Sequence, residues 1–356
     1  MNRKTSNVII CSLIFTCLML TGCSEEDYLI RRGNREAEQS NYESAIKHYN
    51  EALKINPRNA STYYNRGNAW FNMGKMDNAI SDYTKALELN SEHVNAYINR
   101  GITLSKKGNY ELAIDDYTRA LQVNPDNSSK VAIYFNRAYA WLNIGDHKRA
   151  IDDYTEAIRI EEVIKISPSE KAKTYYFRAE AWYEKGDSDS AISDYTKAIE
   201  INPHYAQAVF DRANTWHEKR DFASAIKDYE KAIELDPQNA LVYNNYSALL
   251  SSCTDGKFRD GAKALKLAQK AVELNPHEAL FLSALAGAYA ELGNFKEAIR
   301  IQKKAISLLK KNNKELVIES LSEQLEFYKS SKPWREDVKR EDWMRNYKIQ
   351  GRQKEK

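Results

Sequence analysis

The sequence is short of the residues that β-rich, disulfide-bonded and nucleic-acid-binding proteins usually carry. Its 356 residues include only 7 prolines and 13 glycines, which disfavours all-β folds with many turns and low-complexity disorder. The formal net charge is only +3, without the strong basic excess that binding to phosphate backbones requires. We therefore expect an ordered chain that does not take nucleic acid as its partner.

Long apolar runs are also missing, apart from one at the start of the chain. Residues 8–20 are uncharged and mostly apolar, and the positive residues Arg3 and Lys4 precede them. This run is too short to span a bilayer comfortably, and its position is typical of a secretory signal peptide. The fold should therefore begin after it.

Residues 20–23, with the sequence Leu-Thr-Gly-Cys, resemble the lipobox of bacterial lipoproteins. The resemblance implies a signal peptide at 1–22, cleavage between Gly22 and Cys23, acyl chains such as palmitate on Cys23, and a short tether at 23–25. Several acyl chains anchor a protein far more firmly than one does. Ser24 stands where an aspartate would indicate the inner membrane, which favours the outer membrane facing the periplasm if the source is Gram-negative. The alternative is an ordinary signal peptide with an accidental cysteine.

Cysteine is scarce, and its positions leave no disulfide within the mature chain. Of the 4 cysteines, Cys11 and Cys17 lie in the signal peptide and Cys23 is the predicted lipidation site, so Cys253 remains alone. We expect Cys253 to be a small buried apolar residue. The alternative is a thiol that pairs with another molecule.

One unit recurs about eight times in the rest of the sequence. Each unit contains two alanines seven residues apart, and four of the seven spacings between units are 34 residues. Alanines two helical turns apart share one face of a helix and allow another helix to approach closely. The first alanines of these pairs are Ala45, Ala79, Ala113, Ala150, Ala191, Ala225, Ala264 and Ala298.

Further residues keep the same register as the alanines. A tyrosine follows the first alanine by four residues in six units, and a glycine precedes it by five residues in five units. The glycines indicate the turn between two helices. This pattern resembles the tetratricopeptide repeat (TPR), in which each unit is a pair of helices.

The resemblance implies an all-α fold. It would be an α-solenoid, a superhelical array of about eight TPR helix-turn-helix repeats over residues 26–312, with a capping helix at 313–331 that covers the last apolar face. A charged tail at 332–356 would either fray or touch anionic lipid or cell-wall polymer, and we favour fraying. The predicted repeats are about 26–59, 60–93, 94–127, 131–164, 172–205, 206–239, 240–278 and 279–312.

No motif in the sequence points to catalysis or to a bound metal. The 6 histidines fall at different positions of different repeats, and metalloprotease, paired-cysteine and phosphate-loop motifs are missing. Most carboxylates fit hydrated helix exteriors. We therefore expect a protein that is not an enzyme and that has no cofactor, no metal site and no small-molecule substrate.

An arginine and an aspartate recur at fixed places in the repeats. This repetition predicts guanidinium–carboxylate pairs between packed helices, with the planar guanidinium setting their register. The alternative is that the arginines line a groove and attract an acidic partner. The arginines are Arg32, Arg66, Arg100, Arg137, Arg178 and Arg212, and the aspartates are Asp82, Asp116, Asp153, Asp194 and Asp228.

In the TPR family the first helix of each repeat lines a concave groove, and the resemblance therefore implies a binding surface. Asparagine amides can pair with the backbone of an extended peptide, and neighbouring rings can form apolar pockets for its side chains. The alternative is that these residues are only hydrated helix faces. The candidate peptide-binding residues are Asn34, Tyr64, Asn65, Asn68, Asn99, Phe135, Asn136, Tyr176 and Phe210.

Together these features favour a membrane-anchored scaffold or adaptor of the bacterial cell envelope. It would bind extended peptides or protein partners in the groove, and the short tether would hold its N-terminal end close to the bilayer. One alternative is a pilotin-like or chaperone-like assembly factor for a pilus or secretion system. Another is a module that binds cell-wall glycan, since tyrosine and tryptophan suit sugar stacking.

Overall fold

The computed structural model describes residues 24–310 and 315–336 of the chain, and for 315–316 the backbone alone. Within these ranges it contains seventeen α-helices, one 3-10 turn and no β-strand, so the predicted all-α fold is confirmed. The predicted signal peptide, the predicted lipid site at Gly22 and Cys23, and the tail from residue 337 lie outside the described residues.

The chain divides into two compact units, the first ending at Lys165 and the second beginning at Ile166. Within each unit, every helix packs against the next one along the chain. The helices of unit 1 are α1 (Glu25–Glu38), α2 (Tyr42–Ile55), α3 (Ala60–Asn72), α4 (Met76–Leu89), α5 (Val94–Lys106), α6 (Tyr110–Gln122), α7 (Asn127–Asn143) and α8 (His147–Glu161). The helices of unit 2 are α9 (Pro168–Lys185), α10 (Ser188–Ile201), α11 (Ala206–Glu218), α12 (Phe222–Leu235), α13 (Ala240–Ser252), α14 (Gly261–Leu274), α15 (Ala279–Glu291), α16 (Phe295–Lys310) and α17 (Glu315–Lys329).

The repeated alanines lie where helices meet. Both alanines of every pair are at most 1% exposed, as the repeat pattern predicts. In the first three repeats the preceding helix carries a glycine, and the approach is closer still. A Cβ atom at Gly33, Gly67 or Gly101 would lie 2.5, 2.8 or 2.6 Å from the facing tyrosine ring. These contacts are why small residues recur on the first helix of a repeat.

The turn between the two helices of a repeat requires a left-handed residue. Gly74 has a φ of 73°, and four other turn glycines have φ between 77° and 90°. Glycine adopts this region without strain because it has no Cβ. Two of the three repeats that lack the glycine use Ser40 and Arg220 instead, at φ values of 61° and 62°. The turn geometry is therefore kept in these two repeats, although the sequence departs from the pattern there.

The last helix covers the end of unit 2. Leu321, Leu325 and Tyr328 of α17 are buried in one cluster with Ile301 and Leu309 of α16. This packing confirms the predicted capping helix, because the last repeat would otherwise expose its apolar side to water.

The seventh repeat contains the longest insertion in unit 2. A 3-10 turn at Gly256–Phe258 follows α13, and Cys253 begins this connection with its side chain 0% exposed. Burial raises the pKa of the Cys253 thiol to about 11, with Glu336 adding to the effect. Cys253 is therefore an unreactive buried residue, as predicted.

Candidate binding surfaces of the two units

The repeated arginines and aspartates form bidentate ion pairs in both units. Arg100 donates from Nε and Nη2 to the two carboxylate oxygens of Asp116, at 2.8 and 2.6 Å. The aspartates are buried, and a planar, charge-assisted pair compensates for their lost hydration. Four pairs with the same geometry, at 2.7 or 2.8 Å, are Arg66–Asp82, Arg137–Asp153, Arg178–Asp194 and Arg212–Asp228.

The same guanidinium groups also join consecutive repeats. Nη1 of Arg100 donates to Thr84 of the preceding repeat at 2.9 Å, and Arg212 reaches Thr196 in the same way. Arg100 and Arg212 therefore each hold their own repeat and the one before it, which confirms the predicted structural role of these ion pairs. Arg32 is exposed, and no aspartate stands at the corresponding position of its repeat.

Four of the predicted groove asparagines form a ladder along the first helices of unit 1. Asn65 on α3 donates its amide to Oδ1 of Asn34 on α1 at 3.2 Å. Asn99 on α5 donates to Oδ1 of Asn68 on α3 at 2.8 Å and to the hydroxyl of Tyr64 at 3.1 Å. We call the four asparagines the amide ladder. All four are partly exposed, so the ladder lies at the surface of three consecutive repeats.

A tyrosine hydroxyl holds each acceptor of the ladder in place. Tyr49 and Tyr83 donate to Oδ1 of Asn34 and Asn68, each at 2.8 Å. Burial raises the pKa of Tyr49 to about 12, with Glu38 adding to the effect, so its hydroxyl stays a neutral donor. Half of the polar atoms of the ladder have no hydrogen-bond partner within the described residues. These are the amide nitrogens of Asn34 and Asn68 and the amide oxygens of Asn65 and Asn99.

The ladder ends at α7. Asn136 occupies a donor position of the ladder, but the preceding repeat has Ile102 where the acceptor would be. Asn136 instead donates to the backbone oxygen of Ala132 in its own helix, at 2.7 Å. The ring of Phe135 packs edge-on against Tyr154, with 5.5 Å between their centroids. The structure therefore does not bring these two predicted groove residues together with the ladder.

Carboxylates take the ladder positions at the start of unit 2. Glu180 on α9 accepts the hydroxyl hydrogen bond of Tyr195, and Asp211 on α11 accepts one from Tyr176 at 3.0 Å. Both carboxylates are at most 3% exposed. The predicted groove residues Tyr176 and Phe210 are 9% and 5% exposed, so they pack among other rings and offer little surface to a partner.

A second polar cluster in unit 2 was missed by the sequence analysis. The chain turns back after α17, and the carboxylate of Glu336 lies 3.0 Å from Nε2 of His217 on α11 and 3.0 Å from Oγ of Ser252 on α13. The backbone N–H of Glu336 also donates to the backbone oxygen of Ser252, at 3.0 Å. The prediction that the tail frays is therefore wrong for residues 332–336, since these contacts hold them on unit 2.

The two residues before Glu336 add further contacts. Arg335 donates from Nη1 to the backbone oxygen of Ser251 at 3.1 Å, and its Nη2 lies 2.6 Å from Oε2 of Glu291 on α15. The ring of Trp334 packs edge-on against Phe327, 4.9 Å away. The residues of α11, α13 and α15 that hold this segment are here called the tail site: His217, Ser251, Ser252 and Glu291.

Two kinds of site are not found in the part of the chain that the structure describes. No helix there is both long and apolar enough to cross a membrane. No group of three or more His, Cys, Asp and Glu side chains in that part could hold a metal ion. Polar clusters that do occur in it include the ion pairs, the amide ladder, its carboxylate counterpart and the tail site. Unit 2 also repeats one amide pair, in which Asn245 on α13 donates to Oδ1 of Asn214 on α11 at 2.8 Å.

Models of the tetratricopeptide repeat family match most of the sequence. Between them they cover residues 33–127, 131–164 and 172–312. The chain therefore belongs to the tetratricopeptide repeat family, whose members are typically non-enzymatic scaffolds that bind other proteins. The predicted TPR class is confirmed.

Solved structures of TPR proteins share this fold. The C-terminal part of one from Cytophaga hutchinsonii is 21% identical, has a TM-score of 0.58, and covers 72% of this chain and 99% of its own. One from Parabacteroides merdae is 19% identical, with a TM-score of 0.53 and coverage of 76% and 98%. YrrB, described as a TPR protein with an unusual peptide-binding site, is 22% identical, with a TM-score of 0.47 and coverage of 55% and 96%. No curated protein matches the chain significantly.

Proposed function

We propose that this protein is a membrane-anchored scaffold of the bacterial cell envelope that holds extended segments of its protein partners on the amide ladder. The main observation behind this proposal is that half of the amide atoms in the ladder have no hydrogen-bond partner within the described residues. The amide nitrogens of Asn34 and Asn68 can donate to peptide carbonyls, and the amide oxygens of Asn65 and Asn99 can accept from peptide N–H groups. Pairing with a backbone sets no requirement on side chains, which suits a scaffold with several partners.

An aromatic wall beside the ladder supports the same proposal. The rings of Tyr64 and His93 lie 4.6 Å apart next to Asn99, and both are partly exposed. Rings of this kind form apolar contacts for the side chains of a bound peptide at a low entropic cost. The ladder would then hold the backbone of a partner, and the rings would hold one of its side chains.

The start of α1 supports the proposed membrane anchor. Ser24 caps the helix, because its Oγ accepts the backbone N–H of Asp27 at 3.1 Å while the Asp27 carboxylate accepts the N–H of Ser24 at 3.3 Å. The first helix therefore begins directly after the predicted lipid site at Cys23. Acyl chains on that cysteine would hold the first repeat of unit 1 close to the bilayer without a flexible stalk.

The ladder is tested by photo-crosslinking in intact cells. A photoreactive phenylalanine replaces Tyr64 beside the ladder or, as a matched control, Tyr110 on the second helix of a repeat. We expect adducts from position 64 alone. Asn65→Ala with Asn99→Ala should lower their yield about tenfold, because the two amide oxygens that accept from the peptide N–H groups are lost, whereas Asn136→Ala should leave it unchanged. An unchanged yield in the ladder variant would contradict the proposal.

The identity of the crosslinked molecules tests the role of the scaffold. Several envelope proteins in the adducts would support a scaffold. A single pilus or secretion component would make the protein an assembly factor instead, and adducts with cell-wall glycan alone would make it a glycan-binding module.

The anchor is tested by labelling cells with an alkyne-bearing fatty acid. Cys23→Ala should lose the label and move from the membrane fraction to the soluble fraction, because one polypeptide without acyl chains has no comparable membrane affinity. Cys253→Ala is the matched control and should keep both the label and the membrane association. Continued membrane association of the Cys23→Ala protein would refute the lipid anchor.

A further inference from the structure

The C-terminal segment lies on unit 2 in the manner of a bound peptide. Residues 334–336 contact the first helices of three consecutive repeats, α11, α13 and α15. The backbone N–H of Glu336 donates to a backbone carbonyl, and its carboxylate lies within hydrogen-bond distance of an imidazole and a hydroxyl. The guanidinium of Arg335 forms an ion pair with a carboxylate. An extended ligand is recognised through this combination of main-chain and side-chain contacts.

The tail site has one place for each sign of charge. The Glu291 carboxylate, 15% exposed, faces Arg335 at 2.6 Å and is held from the other side by Arg259 at 3.1 Å. His217, 7% exposed, faces Glu336. The site therefore distinguishes an arginine from the acidic residue that follows it, and a segment with the reversed order would place like charges together.

The pKa of His217 responds to the carboxylate that lies beside it. Burial lowers the pKa of His217, but the carboxylates of Glu336 and Glu218 raise it by more, so the pKa lies above its usual value. The hydroxyl of Tyr229 on α12 also lies 3.4 Å from Nδ1. A carboxylate at this position therefore favours the protonated form of the imidazole, and the two form a charge-assisted pair.

The contacts of the segment can exchange with solvent. Residues 334–336 are each partly exposed, and Arg335 and Glu336 make polar contacts and belong to no apolar cluster of unit 2. Polar contacts at a partly exposed surface replace contacts with water, and their net contribution is small. The segment is held by Trp334, which packs against the apolar cluster of unit 2, and by its short connection to α17, which gives a high effective concentration.

We propose that the tail site is a peptide-binding site for an extended partner segment with an arginine followed by an acidic residue, and that residues 334–336 occupy it until such a segment displaces them. This inference goes beyond the proposed function, because it concerns unit 2 and depends neither on the amide ladder nor on a lipid. The segment lowers the apparent affinity for a partner by the fraction of time that it occupies the site.

The test uses the full mature chain with Arg335→Ala and Glu336→Ala, and a fluorescent peptide of residues 330–336 with both ends capped. Anisotropy should show that the double variant binds the peptide about tenfold more tightly than the unsubstituted protein, because the competing segment is gone. The single variant Glu336→Gln, which preserves shape, should show a smaller gain. A peptide with alanine at both positions should not bind.

Two further variants locate the bound peptide. Ser252→Ala, added to the double variant, should weaken binding because it removes a donor to the acidic residue. Ser322→Ala on α17 is the matched control, since that hydroxyl bonds to the backbone of Ile318 in its own helix, and it should have no effect. Asn65→Ala with Asn99→Ala should also have no effect, which keeps this test separate from that of the ladder.

Three outcomes would overturn the proposal. The first is equal affinity of the double variant and the unsubstituted protein. The second is a double variant that binds no peptide, whether or not its melting temperature falls, since the segment would then be a structural clasp. The third is binding that the ladder variant abolishes, because the peptide would then lie on unit 1.

Discussion

The first repeats of the two units place different chemistry at the same positions, whereas a later pair in unit 2, Asn214 and Asn245, has the same amide contact as unit 1. In unit 1, Asn34 and Asn65 meet through their amides, whereas Glu180 and Asp211 stand at the matching positions of unit 2. In both units the residue at the first position accepts the hydroxyl hydrogen bond of the buried tyrosine behind it. The repeat therefore requires an acceptor for the tyrosine, and the charge of that acceptor is free to differ.

This difference gives the two units different surfaces. The amide ladder is neutral, and it offers both donors and acceptors to an extended backbone. The first helices of unit 2 carry buried carboxylates and, at the tail site, the charged residues that hold Arg335 and Glu336. Under the two proposals made above, unit 1 would bind peptides of any sequence, and the tail site of unit 2 would select its ligand by charge.

The largest expected effect tests what the units have in common. Arg100→Ala leaves Asp116, which is 2% exposed, without its counter-charge, and it should cost about 3–5 kcal/mol of local stability. Arg212→Ala should cost unit 2 a similar amount. Hydrogen exchange of peptides from α6 and α12 measures both losses. Arg32→Ala is the control and should change little, because the repeat of Arg32 has no aspartate at the matching position. Clearly unequal losses would show that the ion pair contributes differently to the stability of the two units.

A smaller effect tests a difference in packing. In the third repeat a Cβ atom at position 101 would lie 2.6 Å from the ring of Tyr117, so Gly101→Ala should destabilise unit 1 by about 1–3 kcal/mol. Unit 2 has Ala213 at the matching position, and Ala213→Gly should cost about 1 kcal/mol through helix propensity alone. Thermal denaturation compares the two. A more stable Gly101→Ala protein, as propensity predicts, would contradict the close approach.

In each unit, one turn between the two helices of a repeat places a residue other than glycine at positive φ, and relief of this strain should be equal in both units. Ser40→Gly in unit 1 and Arg220→Gly in unit 2 place glycine at φ values of 61° and 62°, and each should raise the stability by about 1 kcal/mol. Asn124→Gly, at a φ of 54°, is the control and should gain less, because asparagine tolerates this region. Denaturation midpoints report the gains. A loss at either turn would show that the side chain there contributes more than the backbone strain costs.

The sequence analysis succeeded where a contact recurs with the repeat. The buried alanines and the Arg100–Asp116 type of pair follow from a register that the same helix packing imposes in every unit. The ladder was identified only in part. Asn65 and Asn136 stand at the same position of their repeats. They differ in the residue at the acceptor position of the preceding repeat, which is Asn34 for Asn65 and the apolar Ile102 for Asn136.

The tail site could not be predicted in this way. His217 and Glu336 are 119 residues apart, and their contact occurs once. A contact made once leaves no periodic signal, and the composition of the tail gives its charge but not its place on the fold. The charged pair Arg335 and Glu336 after Trp334 was visible in the sequence, and the structure was needed to place it on unit 2.

The smallest expected effect distinguishes the tail site from the amide ladder by the pH dependence of its hydrogen-exchange protection. Because the pKa of His217 is raised in the folded chain, its pairing with Glu336 is fully present below the usual histidine pKa and is lost as the pH rises through the raised value. The other groups facing the imidazole are Glu218 and Tyr229.

Hydrogen exchange of the Glu336 amide, corrected for its intrinsic rate, should therefore show protection falling as the pH rises above the usual histidine pKa of about 6.5, by about 1 kcal/mol or less. The amides of α5, which carry Asn99 of the neutral ladder, should show no such change. His217→Gln keeps a hydrogen-bonding side chain without the titration, and it should remove the pH dependence. If the protection of the Glu336 amide falls in the same way in His217→Gln, then another group causes the pH dependence. The proposed contrast between the neutral amide ladder and the charged tail site would then not rest on His217.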